Sequence, residues 1–213
     1  SDVYAYISLS DGINKSSFNI WKPIFTSIFN YTIRDYATPT LNSNTLKQAI
    51  DEKYSFASGH ASLLQVIFPK FLLTDSSAVK LKGEDVISAI HDMLVRILET
   101  HAATIAEEEG KPLTLVFEDC HEADEASLQL IIRAMQQIPN HLLLIATSRN
   151  EEYPLLNKLN FDQKFKVKIS VNDLDVEGSK QLVCAVTKAN SIEQKLLNLL
   201  FAKSQGNPLF LEE

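Results

Sequence analysis

An apolar segment that ends in adjacent carboxylates constrains the fold of this chain more than any other feature. Residues 113–117 read Leu-Thr-Leu-Val-Phe, and Glu118 and Asp119 follow directly. This pattern predicts a buried β-strand, and ligands of open α/β sheets bind where the strands reach their carboxyl ends. The alternative is a core strand that ends in a solvated acidic turn.

The acidic residues after this strand favour a metal site. Five carboxylates lie between Glu118 and Glu125, and they repel one another in a dry site unless a cation or solvent spreads their charge. Mg²⁺ typically takes one or two protein carboxylates and completes its shell with water and phosphates. The sequence therefore indicates a magnesium ion at Glu118 and Asp119, most simply as part of a nucleotide site.

Hydrophobic patterning predicts a three-layer α/β domain followed by helices alone. The predicted strands are 3–9, 113–117, 142–147 and 165–171, and the predicted helices are 17–35, 43–54, 58–70, 84–109, 126–138, 176–188 and 192–202. Only helical patterns follow residue 171. We therefore place a boundary there, between an α/β domain (1–171) and the start of a helical lid subdomain (172–213).

Three ordered segments resemble the signal-transduction ATPases with numerous domains, the STAND branch of the AAA+ P-loop NTPases. Residues 118–128, Glu-Asp-Cys-His-Glu-Ala-Asp-Glu-Ala-Ser-Leu, resemble the Walker B region, although the family often has an aromatic residue where this chain has Glu122. Residues 142–149 resemble the sensor 1 strand, and residues 206–213, which begin Gly-Asn-Pro, resemble the Gly-x-Pro motif of the lid. The resemblance implies an AAA+-like parallel sheet and a regulatory module like those beside nucleotide cyclases, LuxR-type regulators and multidomain kinases.

The resemblance also implies a role for each motif residue. ATP and Mg²⁺ would be the cofactors, with Glu118 binding the metal directly or through water and Asp119 orienting the attacking water. Because Glu118 is one methylene longer than the more usual Asp, the two acids could exchange these roles, so both are candidates for catalysis and for metal binding. Thr147 or Arg149 would sense the γ-phosphate, and Pro208 would pack on the adenine from the lid.

The chain lacks the phosphate-binding loop of the family. No Gly-x-x-x-x-Gly-Lys-Ser/Thr occurs, and Gly110-Lys111 is followed by Pro112, which is typical of a helix stop. Either the loop precedes Ser1 in a longer protein, or the module has lost it. The strand at 3–9 favours the first alternative, since the family has a strand there after the P-loop helix. The missing first strand is central in the AAA+ sheet, so its loss would leave a gap with costly unpaired backbone groups.

We therefore expect an ATP-binding and ATP-hydrolysing switch that controls an attached output domain of a larger signalling protein. Without the loop, the isolated chain is expected to be inactive as an ATPase. Its partners would be ATP or ADP and the output domain, with self-association left open. Two alternatives remain: a catalytically silent ATPase-like interaction domain, and an AAA+ replication initiator or loader, for which the sequence offers neither an arginine finger nor a basic DNA surface.

Composition narrows the remaining classes of function. The net charge of −7, from 27 acidic and 20 basic residues, argues against direct nucleic-acid binding by this segment. Two cysteines are too few for a disulfide scaffold. The sequence contains no apolar run of about 18 residues, the length of a membrane span, and no basic and apolar leader. These features predict a cytoplasmic module without a membrane span.

Overall fold

Three parallel strands organise the first part of the chain. The computed structural model describes residues 5–9, 16–71, 84–138, 140–149 and 167–212. The strands among them are β1 (Ala5–Leu9), β2 (Leu113–Glu118) and β3 (Leu142–Ala146). Their order in the sheet is β1-β2-β3, and both pairs are parallel. Three predicted strands are thus present, while Val3 and Tyr4 lie outside the described residues.

The connections between these strands are helical. They contain α1 (Trp21–Thr32), α2 (Ser43–Lys53), a 3₁₀ helix (Ser55–Val66), α3 (Glu84–Glu109), a 3₁₀ turn (Cys120–Glu122) and α4 (Glu125–Gln137). Side-chain caps fix the starts of two of them. Asn42 accepts hydrogen bonds from the first turn of α2, and Asp124 does the same for α4. The helix predicted at 58–70 lies mostly within the 3₁₀ segment Ser55–Val66, which has a non-helical kink at His60.

Apolar side chains of α1 recur at helical spacing and build the core. Its buried residues are Trp21, Ile24, Phe25, Ile28 and Phe29. The Trp21 indole Nε1 donates to the carbonyl of Ser127 over 3.0 Å, and the Trp21 ring meets the edge of Phe117 at 4.9 Å between centroids. Burying each such side chain contributes about 1.5–3 kcal/mol. These contacts hold α1, β2 and the first turn of α4 together, and so fix the end of β2.

The two faces of the sheet differ in burial, because successive side chains of a strand point to opposite faces. The Tyr6 hydroxyl lies 2.9 Å from Nε2 of His101 on α3, so helices pack against this face. Its neighbour Ile7 lies in register with Val116 and, across it, Ile145. Ile7 is 60% exposed and Ile145 45% exposed. The described part of the first unit is therefore a sheet with helices packed on the Tyr6 face, and the third layer stays a prediction.

The chain divides into two compact units, Ser1–Asn160 and Phe161–Glu213. The second unit contains α5 (Val176–Thr187), α6 (Gln194–Ser204) and α7 (Pro208–Glu212). The predicted strand at 165–171 is wrong over 167–171, which has no regular secondary structure, and residues 165 and 166 lie outside the described residues. Val167 and Val171 are 84% and 92% exposed, and within the described residues this segment pairs with no strand.

The architecture is mixed α/β, mostly helical, with a small parallel sheet. Within the described ranges, no helix is both long and apolar enough to cross a membrane.

Candidate functional site

The five carboxylates after β2 have different surroundings. Asp124 caps α4, since its carboxylate accepts hydrogen bonds from the Ser127 N–H (3.0 Å) and hydroxyl (2.6 Å). Glu125 accepts a hydrogen bond from a side chain one turn further along α4, at 2.7 Å. Both carboxylates therefore form hydrogen bonds with groups of α4 and stabilise that helix. The acids that remain for a site are Glu118, Asp119 and Glu122.

Asp119 interrupts the pairing of β2 with the chain that follows β3. The Thr147 N–H donates to the carbonyl of Phe117 over 2.9 Å, as a parallel ladder requires. A regular ladder would next join the Asp119 N–H to the carbonyl of Thr147. Instead the Cys120 N–H donates to that carbonyl at 2.9 Å. Asp119 is thus one extra residue on the β2 side, as in a β-bulge, a feature that re-aims side chains.

The extra residue has a left-handed backbone and a specific partner. Asp119 has φ 51° and ψ 43°, a region that aspartate tolerates better than most residues with a Cβ. Its N–H, displaced from the ladder, donates to Oγ1 of Thr147 over 3.0 Å. The structure therefore brings Asp119 and Thr147 together at the carboxyl end of the sheet.

Two basic side chains face the Asp119 carboxylate. Nε of Arg149 and Nδ1 of His121 each lie 3.9 Å from Oδ1 of Asp119. The Arg149 side chain is 82% exposed, so its guanidinium can reach a ligand. His121 is 18% exposed, and its other ring nitrogen lies 3.6 Å from Oε1 of Glu122. Sequence reasoning assigned His121 no role, because a histidine beside acids carries no signal of where its ring will lie.

Glu118 ends β2 in register with Leu9 of β1 and is exposed. Across the described ranges, no group of three or more His, Cys, Asp or Glu side chains is placed to hold a metal ion. A magnesium ion at Glu118 and Asp119 would therefore take most of its ligands from water and phosphate. That is the usual coordination of magnesium at phosphate sites, and a metal at Glu118 and Asp119 stays a prediction.

Cys120 belongs to the framework of the site. Its Sγ lies 3.5 Å from the carbonyl of Phe117 and is buried. Burial, helped by the negative charge of Asp119, raises the pKa of the thiol to about 12. The thiol is therefore protonated at neutral pH and is a poor nucleophile and metal ligand.

Pro208 lies in the second unit, as the first residue of α7, and is exposed. The preceding Gly206 has φ 84° and is buried. Pro208 has the geometry of an ordinary helix start, a position that suits proline because its missing N–H is not needed there. Its contact with adenine stays a prediction.

No protein-family model, curated protein or solved structure matches this chain.

Proposed function

We propose that this chain is part of a magnesium-dependent ATP-binding and ATP-hydrolysing switch of the AAA+/STAND type, which controls an attached output domain. One observation carries the proposal. Glu118 ends the middle strand of three parallel strands and Asp119 follows it, while Thr147 and Arg149 follow the neighbouring strand to the same end of the sheet. Carboxylates, a hydroxyl and a guanidinium at that end suit a metal-bound phosphate chain.

The two acids have complementary surroundings for this chemistry. Glu118 is exposed and can bind Mg²⁺ directly or through water. Asp119 is held by the turn after β2, so it can orient the water that attacks the γ-phosphorus while the bond to the ADP oxygen breaks. Bound Mg²⁺ would neutralise charge on the phosphate oxygens. Asp119 would act by positioning and by accepting the proton of the attacking water.

Arg149 is the better candidate for sensing the γ-phosphate. Its guanidinium is exposed and always charged, and it can bind phosphate through two parallel hydrogen bonds. The hydroxyl oxygen of Thr147 already accepts the Asp119 N–H.

Under this proposal the P-loop unit lies beyond β3. The predicted gap does not fall between β1, β2 and β3, which pair continuously. In the described part of the chain, β3 pairs with β2 alone. We propose that the P-loop strand of the parent protein pairs with the other edge of β3, and brings the loop beside Thr147 and Arg149.

A second candidate is a catalytically silent interaction domain with the same fold. The surroundings of Asp119 favour it, because Arg149 could balance the carboxylate charge without a metal. In that case the acids would only stabilise the turn after β2.

Calorimetric titration of ATP, with and without Mg²⁺, into a protein extended upstream by one βα unit separates the two. Asp119→Asn and Glu118→Gln probe the proposed ligands, and Glu122→Gln is the matched control, since it removes one nearby charge. The switch requires magnesium-dependent binding that Glu118→Gln weakens and Glu122→Gln does not. Absence of a P-loop sequence upstream, together with no magnesium-dependent binding, would leave the silent domain.

A further inference from the structure

We infer that Thr147 is a positioning residue, which acts on the proposed site by holding Asp119 and not by contacting phosphate. The inference rests on the proposed function, since it explains how an acid of the same site is held. The motif implies that Thr147 senses phosphate. We infer instead that it connects the chain after β3 to the turn after β2.

Thr147 meets the turn after β2 through three groups. Its N–H donates to Phe117, and its carbonyl accepts from Cys120, both at 2.9 Å. Any residue could make these two backbone bonds. The third bond, from the Asp119 N–H to Oγ1 at 3.0 Å, needs a side-chain acceptor at this position. The hydroxyl therefore replaces the ladder partner that Asp119 loses as an extra residue.

The hydroxyl bond stabilises an unfavourable backbone conformation. Left-handed φ and ψ bring a Cβ close to the following carbonyl, so a non-glycine residue keeps them only where its surroundings require them. The backbone angles of Asp119 set the direction of its Cα–Cβ bond. A return to a regular strand would swing the carboxylate away from Arg149 and His121, which now lie 3.9 Å from it.

This position matters because a site with two protein carboxylates has little redundancy. Each acid must stay close to its productive place for metal binding or for orienting water. Groups that hold a metal ligand commonly change metal affinity about 10–100-fold when they are removed. Thr147 would influence the site through this route.

The test compares Thr147→Val, which keeps the shape and removes the hydroxyl, with Thr147→Ser, which keeps the hydroxyl. The first readout is the backbone of Asp119 in the 213-residue protein, from its three-bond amide–Hα coupling and amide exchange rate by NMR. The second is the affinity for Mn²⁺ alone, a paramagnetic probe for the magnesium site. Asp119→Asn is the control that removes the charge but tolerates the same backbone.

We expect Thr147→Val to change the Asp119 coupling, speed its amide exchange and weaken Mn²⁺ binding about tenfold. Thr147→Ser should keep all three values close to those of the wild type. Asp119→Asn should keep the coupling and weaken Mn²⁺ binding at least as much as Thr147→Val does, because it alters one of the two candidate metal ligands. If Thr147→Val fails to fold, Thr147→Ala replaces it in the comparison with Thr147→Ser.

An unchanged Asp119 coupling and exchange rate in a folded Thr147→Val protein would overturn the positioning role. Loss of Mn²⁺ binding in Thr147→Ser, with Asp119 in its native conformation, would also overturn it, because Thr147 would then act on the metal by another route. A wild-type protein that binds no Mn²⁺, while Thr147→Val still moves Asp119, would refute the metal site of the proposed function and still support the hold of Thr147 on Asp119.

Discussion

The backbone N–H of Leu174 donates to the carbonyl of Gly206 over 2.8 Å, so two segments of the second unit meet backbone to backbone. Gly206 has φ 84°, and a Cβ at this position would overlap the carbonyl oxygen of Leu174. This close backbone contact requires glycine at position 206, for a reason that is independent of the Gly-x-Pro resemblance. It also ties the segment before α5 to the turn between α6 and α7.

Gly206→Ala should destabilise the second unit by roughly 2 kcal/mol or more, because it adds a backbone clash to an unfavourable φ. Gly110→Ala is the matched control for φ alone, since Gly110 has φ 67° with open space around it. Gly59→Ala is a second control, because Gly59 has neither a left-handed φ nor a close neighbour. Hydrogen exchange of α5 measures the loss in Gly206→Ala, and urea unfolding measures the losses in all three variants. Equal losses for Gly206→Ala and Gly110→Ala would mean that the approach to Leu174 contributes nothing.

His101 makes the first unit sensitive to acid. Its Nε2 and the Tyr6 hydroxyl are 2.9 Å apart, and its side chain is buried. Burial, helped by the charge of Arg34, lowers the pKa of His101 from 6.5 to about 4. The unfolded chain therefore binds the proton more tightly. The contribution of neutral His101 to stability is complete above pH 6.5, and it is lost as the pH falls towards about 4.

We expect this group to lower the free energy of unfolding by about 2 kcal/mol between about pH 7.5 and about pH 5. Urea titrations across that range measure the slope, which should be shallower in His101→Gln. His60→Gln, at an exposed position, should keep the wild-type slope. An equally steep profile in His101→Gln would assign the acid sensitivity to other groups.

The isolated 213-residue chain should bind ATP only weakly, because the described site offers no glycine loop or P-loop lysine to the phosphates. Calorimetry or titration of labelled nucleotide would check this. Magnesium-dependent binding at about 1 µM or tighter would contradict the need for an upstream P-loop unit.

Asp119→Asn should slow hydrolysis in a protein that contains the P-loop, and it should largely keep ATP binding. The expected loss is about 10²–10⁴ in turnover, the usual contribution of a positioned general base. Steady-state phosphate release gives the rate, and Glu122→Gln serves as the charge-matched control. Equal turnover in the wild type, Asp119→Asn and Glu118→Gln would remove both acids from the mechanism.

If the proposed switch operates, Pro208→Ala in the P-loop-containing protein should blunt the ATP-dependent change in domain arrangement and lower nucleotide affinity modestly. A contact from α7 to the base would give the nucleotide different affinities for the two arrangements, which is what shifts their populations. X-ray scattering with and without ATP reports the change. Leu209→Ala, at the adjacent residue with 62% exposure, is the control. Full ATP-induced closure in Pro208→Ala would reduce Pro208 to a helix start.

Long periodic segments were predictable from the sequence because many residues carry the same signal. The helix predicted at 84–109 has the bounds of α3, since an apolar stripe runs along it and Gly110, with φ 67°, ends it. The strand prediction was wrong over 167–171, because alternation of apolar and polar residues describes the two faces of a strand and not the presence of a neighbouring strand to pair with.

The place of the candidate residues in the fold was predictable, but their contacts were not. Adjacent acids after a buried strand indicated the end of β2. The hydrogen bond from Asp119 to Thr147 spans 28 residues and depends on a one-residue irregularity in register. Aspartate and threonine do not indicate this irregularity in a sequence, since both are common in ordinary turns.

The buried thiol of Cys120 can report how often the turn after β2 opens locally. A thiol-modifying reagent can reach this sulfur only when the turn leaves β3, because the side chain is 1% exposed and its pKa of about 12 keeps it protonated. Its labelling rate, compared with that of an unfolded chain, therefore gives the free energy of that opening. Cys184 on α5 is only half-buried and reports on the second unit in the same experiment.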